Sequence, residues 1–78
     1  MPTILRISSY RFHFYSDEGN EPEHIHVAIP DGECKFWLEP IKLAFNKNIA
    51  PHVVRKIEKL VYDNQNLLKE KYNEFHKI

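Results

Sequence analysis

Apolar and polar residues alternate in four short stretches of the first 40 residues. A period of two is typical of strands that bury one face of a sheet. The predicted strands span residues 4–7, 10–16, 24–29 and 33–38. Ser8-Ser9 separates the first pair and Pro30-Asp31-Gly32 separates the second. Because turns this short join antiparallel strands, residues 1–40 are predicted to form two β-hairpins.

The turns also predict which residues of each hairpin face each other. A two-residue loop in the first hairpin places Ile7 opposite Tyr10. In the second hairpin, Asp31-Gly32 suits the central turn positions, where a positive φ is favoured. That turn would place His26 opposite Trp37, and it would make one face of the hairpin uniformly apolar.

The alternation therefore predicts a sheet with an apolar core face and a polar face. Residues two apart on a strand project from the same side of the sheet. The predicted polar face carries Arg11, His13, Tyr15, His24, His26, Lys35 and Trp37.

The second half of the chain follows a helical pattern instead. Residues 41–50 are predicted as a connection after Pro40, and residues 51–77 as a helix, with Pro51 in its first turn. Apolar residues recur there at spacings of three, four and seven. The run 63–66 contains Asp and Asn, which favour competing hydrogen bonds, so a kink or a break is expected. The fold class is thus α+β: a single domain, residues 1–78, with a four-stranded antiparallel sheet and one long or kinked helix on its apolar face.

A straight helix of that length would extend about 40 Å, at about 1.5 Å per residue, which is longer than a small sheet requires. The final turns are therefore expected to bend back or to meet another chain. Leu68, Tyr72 and Phe75 are the candidate partner-binding residues.

Composition limits the classes of function. Eleven basic and eleven acidic residues give a formal net charge of zero, which argues against a protein that coats polyanions by bulk charge. The charge is divided, however: residues 1–40 carry three bases and seven acids, and residues 41–78 carry eight bases and four acids. The only cysteine is Cys34, and no apolar run approaches the roughly 20 residues of a membrane span. We therefore expect a cytoplasmic protein without a membrane segment.

His24 and His26 form the most specific chemical pattern on the polar face. Two imidazoles on one side of a strand can act as acid and base, contact phosphate or bind a metal; they can also be strand histidines without a task. Lys35 and Trp37 on the facing strand add a cation and a stacking surface. RNA cleavage needs a base, an acid and a cation, so His24, His26 and Lys35 are the candidate catalytic residues.

A metal site would require a third ligand besides these two histidines. His13 is one candidate, and Glu33 and Glu39 are others. The chain has no histidine pair at helical spacing and no cysteine pair, so the expectation is that no metal or other cofactor is bound.

Two further groups of residues are candidates for contact with nucleic acid. Tyr15 and Trp37 are platforms for stacking bases, and Arg11 is a cation on the same face. Around the predicted helix start, only Glu58 opposes a group of bases that is either a backbone-binding patch or an ordinary solvated surface. That group comprises Lys42, Lys47, Arg55, Lys56 and Lys59.

Several segments resemble a bacterial family known only as domain of unknown function 4160. They are Tyr10-Arg11-Phe12, Phe14-Tyr15-Ser16, Glu21-Pro22-Glu23-His24-Ile25-His26-Val27 and Glu33-Cys34-Lys35-Phe36-Trp37-Leu38-Glu39-Pro40, with Ile57, Leu60, Asn64, Leu68 and Phe75 in the helix. The chain departs from the family pattern at Glu23, Cys34 and Tyr72, where Pro, Ala and Trp are usual. The resemblance implies a small bacterial or archaeal protein, often encoded beside a second uncharacterised family numbered 2442, in an arrangement suggestive of toxin–antitoxin pairs. It assigns no role to any residue.

Three hypotheses of different classes follow. The first is a toxin-like component of a two-gene module that acts on RNA, by metal-independent cleavage or by binding through the polar face. The second is a non-enzymatic binding module, such as the neutralising partner of such a pair, which docks through its C-terminal helix onto a small protein from the neighbouring gene or onto a second copy of itself. The third is a metal-dependent activity or sensor that uses His13, His24 and His26.

Overall fold

The computed structural model describes residues 3–15 and 20–76. These residues form five strands and two helices. The strands are β1 (Thr3–Ile7), β2 (Tyr10–His13), β3 (His24–Ile29), β4 (Gly32–Leu38) and β5 (Ile41–Lys47), and the helices are α1 (Pro51–Asp63) and α2 (Gln65–Phe75). The strands pair in chain order, each antiparallel to the next. The predicted α+β class and antiparallel sheet are confirmed.

The strand β5 corrects the prediction of four strands. Residues 41–50 were expected to be a connection because Pro40 marks the end of the preceding strand. Pro40 instead lies in the short turn between β4 and β5, which leaves Leu38 paired with Ile41. A proline in a turn does not interrupt the ladder on either side, so the chain returns as a further strand.

The register of the first hairpin matches the prediction, with Ile7 opposite Tyr10. The register of the second hairpin differs from it by two residues. Ile29 pairs with Gly32, so Pro30-Asp31 occupies the turn and Gly32 begins β4. An added Cβ at Gly32 would lie 2.5 Å from the carbonyl oxygen of Lys47, so the close approach of β5 requires a glycine there.

Because a shift of two residues preserves the face of every side chain, the predicted polar and apolar faces are retained. What changes is the partner of each residue. His26 lies opposite Lys35 rather than Trp37, and Trp37 lies opposite His24.

The helical half consists of two helices, not the one that was predicted. The break occurs at Asn64, within the run that was identified as the least helical. The Asn64 side chain donates to the carbonyl oxygen of Leu60 over 2.8 Å, which is a local hydrogen bond of the kind that ends helices. Across the bend, the Gln65 amide donates to the carbonyl oxygen of Leu38 over 2.6 Å and ties the start of α2 to the sheet. The last predicted helical residue, Lys77, lies outside the described residues.

Both helices pack on the apolar face of the sheet. Their buried residues Ile57, Val61, Leu68 and Tyr72 join Phe12, Phe14, Ile25, Val27, Cys34, Phe36, Leu38 and Ile49 in one core. Near the C-terminus of α2, Tyr72 donates to the carbonyl oxygen of Glu21, which precedes the central strand β3, over 2.9 Å. Among the described residues, no helix has the length and apolarity needed to cross a membrane.

Candidate functional site

Strand pairing arranges the polar face in three rows that run across the sheet. The central row contains His13, His26, Lys35 and Phe45. One flanking row contains His24, Trp37 and Lys42, and the other contains Arg6, Arg11, Ala28, Glu33 and Lys47. The three predicted catalytic residues therefore lie on one face, but their surroundings differ.

A cluster of His13, His26 and Glu33 occupies the centre of the polar face. Nδ1 of His26 lies 3.0 Å from Oε2 of Glu33, and Nε2 of His13 lies 3.9 Å from the same oxygen. The two imidazole rings are stacked, with centroids 5.6 Å apart. One ligand atom from each of the three residues lies within 4.8 Å of the others. This spacing is compatible with three ligands of one metal ion.

Tyr15 holds the carboxylate of this cluster. Its hydroxyl donates to Glu33, with the two carboxylate oxygens 3.0 and 3.2 Å away. Its ring stands edge-on to both histidines, with centroids 4.4 Å from His26 and 5.1 Å from His13. Tyr15 thus fixes the orientation of Glu33 and helps to exclude water from both imidazoles.

His13 is the most unusual member of the cluster. It is 1% exposed, and neither of its ring nitrogens has a hydrogen-bond partner among the described residues. Burial lowers the pKa of His13 below its ordinary value of 6.5, and this effect outweighs the opposing effect of the Glu33 carboxylate. The side chain is therefore a neutral imidazole at neutral pH, with a lone pair available to a ligand.

His24, a predicted catalytic residue, lies outside this cluster. Its Nδ1 lies 2.8 Å from the carbonyl oxygen of Pro22, and its ring packs edge-on against Trp37 and Tyr72. Sequence reasoning paired His24 with His26 because they are two apart. The strand pairing between β2 and β3 places His13 directly opposite His26. Glu39, the other proposed ligand, lies apart from the cluster and pairs with Lys69.

Lys35 is almost buried, at 8% exposure. Its ammonium lies 2.6 Å from Oε1 of Glu21 and 4.6 Å from the centroid of the Trp37 ring. The charge of Lys35 is therefore matched within the protein, by a carboxylate and an aromatic face.

The rim of the polar face is more accessible than its centre. Lys42 and Lys47 of β5 are exposed, Trp37 is half-buried, and Phe45 is 42% exposed. Sequence reasoning identified the first three residues but missed Phe45, because it read β5 as a connection. The alternation of Ile41, Leu43 and Phe45 indicates a strand, but it would place Phe45 on the apolar face. An irregularity in the pairing of β4 with β5 places Phe45 opposite Lys35 on the polar face instead.

The first hairpin contributes two more cations to the rim. Arg6 lies directly opposite Arg11, and both line a surface hollow together with Ser9 and Pro30. Two like charges at facing positions of a hairpin repel each other, so this pairing is unfavourable by itself.

The remaining predicted residues lie on the helices. Arg55, Lys56 and Lys59 are exposed on α1, which packs on the opposite, apolar face of the sheet. Their position does not extend the polar rim. Among the candidate partner-binding residues, Leu68 and Tyr72 are buried in the intrachain core, and Phe75 packs against it, with its ring centroid 5.6 Å from that of Phe14.

The chain matches a known protein family. A family described as Domain of unknown function (DUF4160) matches residues 9–73, which is most of the chain. No curated protein and no solved structure matches.

Proposed function

The chain belongs to the DUF4160 family, whose description names no activity, and we propose that it binds single-stranded RNA through the rim of its polar face. In this proposal it is the cytoplasmic, toxin-like component of a two-gene module. The RNA-binding rim comprises Arg6, Arg11, Trp37, Lys42, Phe45 and Lys47.

The observation that carries the proposal is the arrangement of cations and aromatic rings on β4 and β5. Trp37 lies directly opposite Lys42, and Phe45 and Lys47 project from the same face of β5. Aromatic rings at such positions stack on unpaired bases, and each stacked base contributes about 1–3 kcal/mol. The lysines flanking them suit the phosphates of the same strand.

The facing arginines Arg6 and Arg11 support the same proposal at the other edge of the sheet. Guanidinium groups bind phosphate with paired hydrogen bonds, and a phosphate between them would remove their mutual repulsion. An RNA strand that crossed the sheet from β5 to β1 would meet cations at both edges.

RNA binding is the form of action that the geometry supports best. Cleavage by His24, His26 and Lys35 would require RNA to reach two histidines that are at most 2% exposed and a lysine already paired with Glu21. We therefore propose that His24, His26 and Lys35 have a structural role in the polar face, and that the residues of the rim contact the RNA.

Charge reversal at two positions tests the proposal. The double variant Lys42→Glu with Lys47→Glu reverses two cations of the rim. Its matched control, Lys56→Glu with Lys59→Glu, makes the same change of charge on α1. Fluorescence anisotropy with a labelled single-stranded RNA should show weaker binding for the rim variant, and a smaller salt dependence, by about 1.4 in log–log slope for two lost phosphate contacts.

The two variants must differ for the proposal to stand. Equal losses in both would mean that binding follows net charge alone, and no binding by the wild type would remove the proposal. The length of the RNA after incubation also tests cleavage. If the wild type shortens the RNA and His26→Ala does not, the protein cleaves RNA as well as binding it.

The toxin-like role is tested separately in cells. Induction of this gene alone should arrest growth, co-expression of the neighbouring gene should relieve the arrest, and the rim variant should arrest growth less. Normal growth on induction would contradict the toxin-like role without bearing on RNA binding.

The alternative function is a non-enzymatic binding module that neutralises a partner. The observation in its favour is that Tyr62 and Leu67 are 58% and 38% exposed on the helices. Exposed apolar side chains of this size are typical of interfaces when they form a patch. Measurement of solution mass with and without the neighbouring protein tests this reading, because a chain that remains monomeric in both samples does not dock.

A further inference from the structure

We propose that His13, His26 and Glu33 form a binding site for one divalent first-row transition-metal ion, for which Zn²⁺ is the representative. This site lies beneath the RNA-binding rim and does not depend on RNA binding. It differs from the metal hypothesis drawn from the sequence, because Glu33 replaces His24 as a ligand.

The separations of the candidate ligand atoms support the proposal. Four-coordinate Zn²⁺ has bonds of about 2.0–2.1 Å, so its ligand atoms lie about 3.3 Å apart. The distances from Oε2 of Glu33 to Nδ1 of His26 and Nε2 of His13, 3.0 and 3.9 Å, lie on either side of that value. The third separation, between the ligand nitrogens of His13 and His26, is at most 4.8 Å. The two imidazoles would therefore have to approach each other by up to about 1.5 Å for all three atoms to bind one tetrahedral ion.

A second, independent observation is the unpaired state of His13. The imidazole of His13 is 1% exposed and neither ring nitrogen makes a hydrogen bond with a described residue, since Oε2 of Glu33 is 3.9 Å from Nε2 and too far for one. Coordination of a metal ion by one ring nitrogen would supply a partner.

The donor set defines the class of ion. Two imidazoles and one carboxylate suit Zn²⁺, Fe²⁺, Co²⁺ and their neighbours, whereas Mg²⁺ and Ca²⁺ prefer oxygen ligands alone. The side chain of Glu33 is 26% exposed and those of the histidines are almost covered, so the ion would enter from the Glu33 side.

Tyr15 is a positioning residue for this site. Its hydroxyl already donates to both oxygens of Glu33 within 3.2 Å. Such outer-shell hydrogen bonds orient a ligating carboxylate, and their loss weakens metal binding by roughly 10- to 100-fold.

The test uses the full chain, purified without a histidine tag and stripped with EDTA. Isothermal titration with ZnCl₂ should show one equivalent bound, and MgCl₂ should not compete. His13→Phe and Glu33→Gln should each weaken Zn²⁺ binding by more than the roughly 100-fold upper limit for an outer-shell partner. The matched controls His52→Phe and Glu39→Gln should bind as the wild type does.

Cobalt substitution provides a test that needs no variant. CoCl₂ should give the visible bands of a nitrogen and oxygen ligand set, without thiolate charge transfer from Cys34, and Tyr15→Phe should shift those bands. Absence of stoichiometric Zn²⁺ binding would overturn the proposal. So would wild-type affinity in folded Glu33→Gln, equal competition by Mg²⁺, or a thiolate signal.

Discussion

At the scale of single residues, the main feature is the contrast between His13 and its neighbours. His26 has Glu33 and His24 has a backbone carbonyl within hydrogen-bond distance, whereas both nitrogens of His13 lack such a partner in the described part of the chain. A buried imidazole without a hydrogen-bond partner destabilises the folded state when it becomes protonated, because burial disfavours the charged form. The consequence should be visible in the pH dependence of stability.

We predict that His13 makes the metal-free protein less stable below about pH 6.5. Its pKa is lowered in the folded chain, so below the unfolded value of about 6.5 the unfolded state binds more protons. This contribution to the free energy of unfolding is complete above that pH and decreases as the pH falls, by at most about 1.4 kcal/mol per pH unit. Urea unfolding in EDTA between pH 7.5 and pH 5 measures it.

The variant His13→Phe should lose less stability over this range than the wild type does. His52→Phe, a change at an exposed position, should behave as the wild type. Parallel curves for the wild type and His13→Phe would show that His13 does not titrate as burial predicts.

Cys34 gives a second prediction at this scale. It is buried in the core, and burial raises the pKa of its thiol to about 12. The thiolate is the reactive form, so the native protein should react with a thiol reagent at pH 8 far more slowly than the urea-unfolded protein. Equal rates in the two states would contradict the burial of this side chain.

At the scale of elements, the sequence predicts which face of the sheet a side chain lies on better than it predicts which residue lies opposite on the next strand. Alternation assigned His13, His26, Lys35 and Trp37 correctly to one face, because the side-chain period of a strand is two in any register. It could not predict that His13 faces His26, since the segment between β2 and β3 has no short turn to set the register. Pro40 led to the prediction of a connection over residues 41–50, so neither β5 nor the position of Phe45 was predicted.

The turn of the second hairpin shows why a local signal can mislead. Asp31-Gly32 is a favourable turn pair, yet Gly32 begins β4 because the backbone of β5 at Lys47 approaches it closely. That requirement comes from a strand 15 residues away and is not visible in the turn itself.

Gly32→Ala should therefore destabilise the fold. The added methyl group would meet backbone oxygens at 2.5 and 2.9 Å, and backbone cannot move aside as a flexible side chain can. Overpacking of this kind typically costs about 1–3 kcal/mol. Urea unfolding compares it with Asp31→Ala, an exposed change expected to stay within about 0.5 kcal/mol; equal midpoints would contradict the close approach of β5.

At the scale of the whole molecule, the fold separates the apolar residues from many of the charges of a chain whose net charge is zero. The helices cover the apolar face of the sheet and contribute Ile57, Val61, Leu68 and Tyr72 to the core. The polar face retains cations on β1 and β2 and on β5, with Phe45 beside the lysines of β5 and Trp37 on the neighbouring strand β4. The acidic residues Glu21 and Glu33 are engaged with Lys35 and with the His13 and His26 cluster.

The measurement that tests the central claim most directly is an NMR titration of the ¹⁵N-labelled protein with a short single-stranded RNA. Binding through the rim predicts shifts at the Trp37 indole and at the amides of Lys42, Phe45 and Lys47, with little change at Arg55, Lys56 and Lys59. Shifts confined to α1, or no shifts at saturating RNA, would contradict the account.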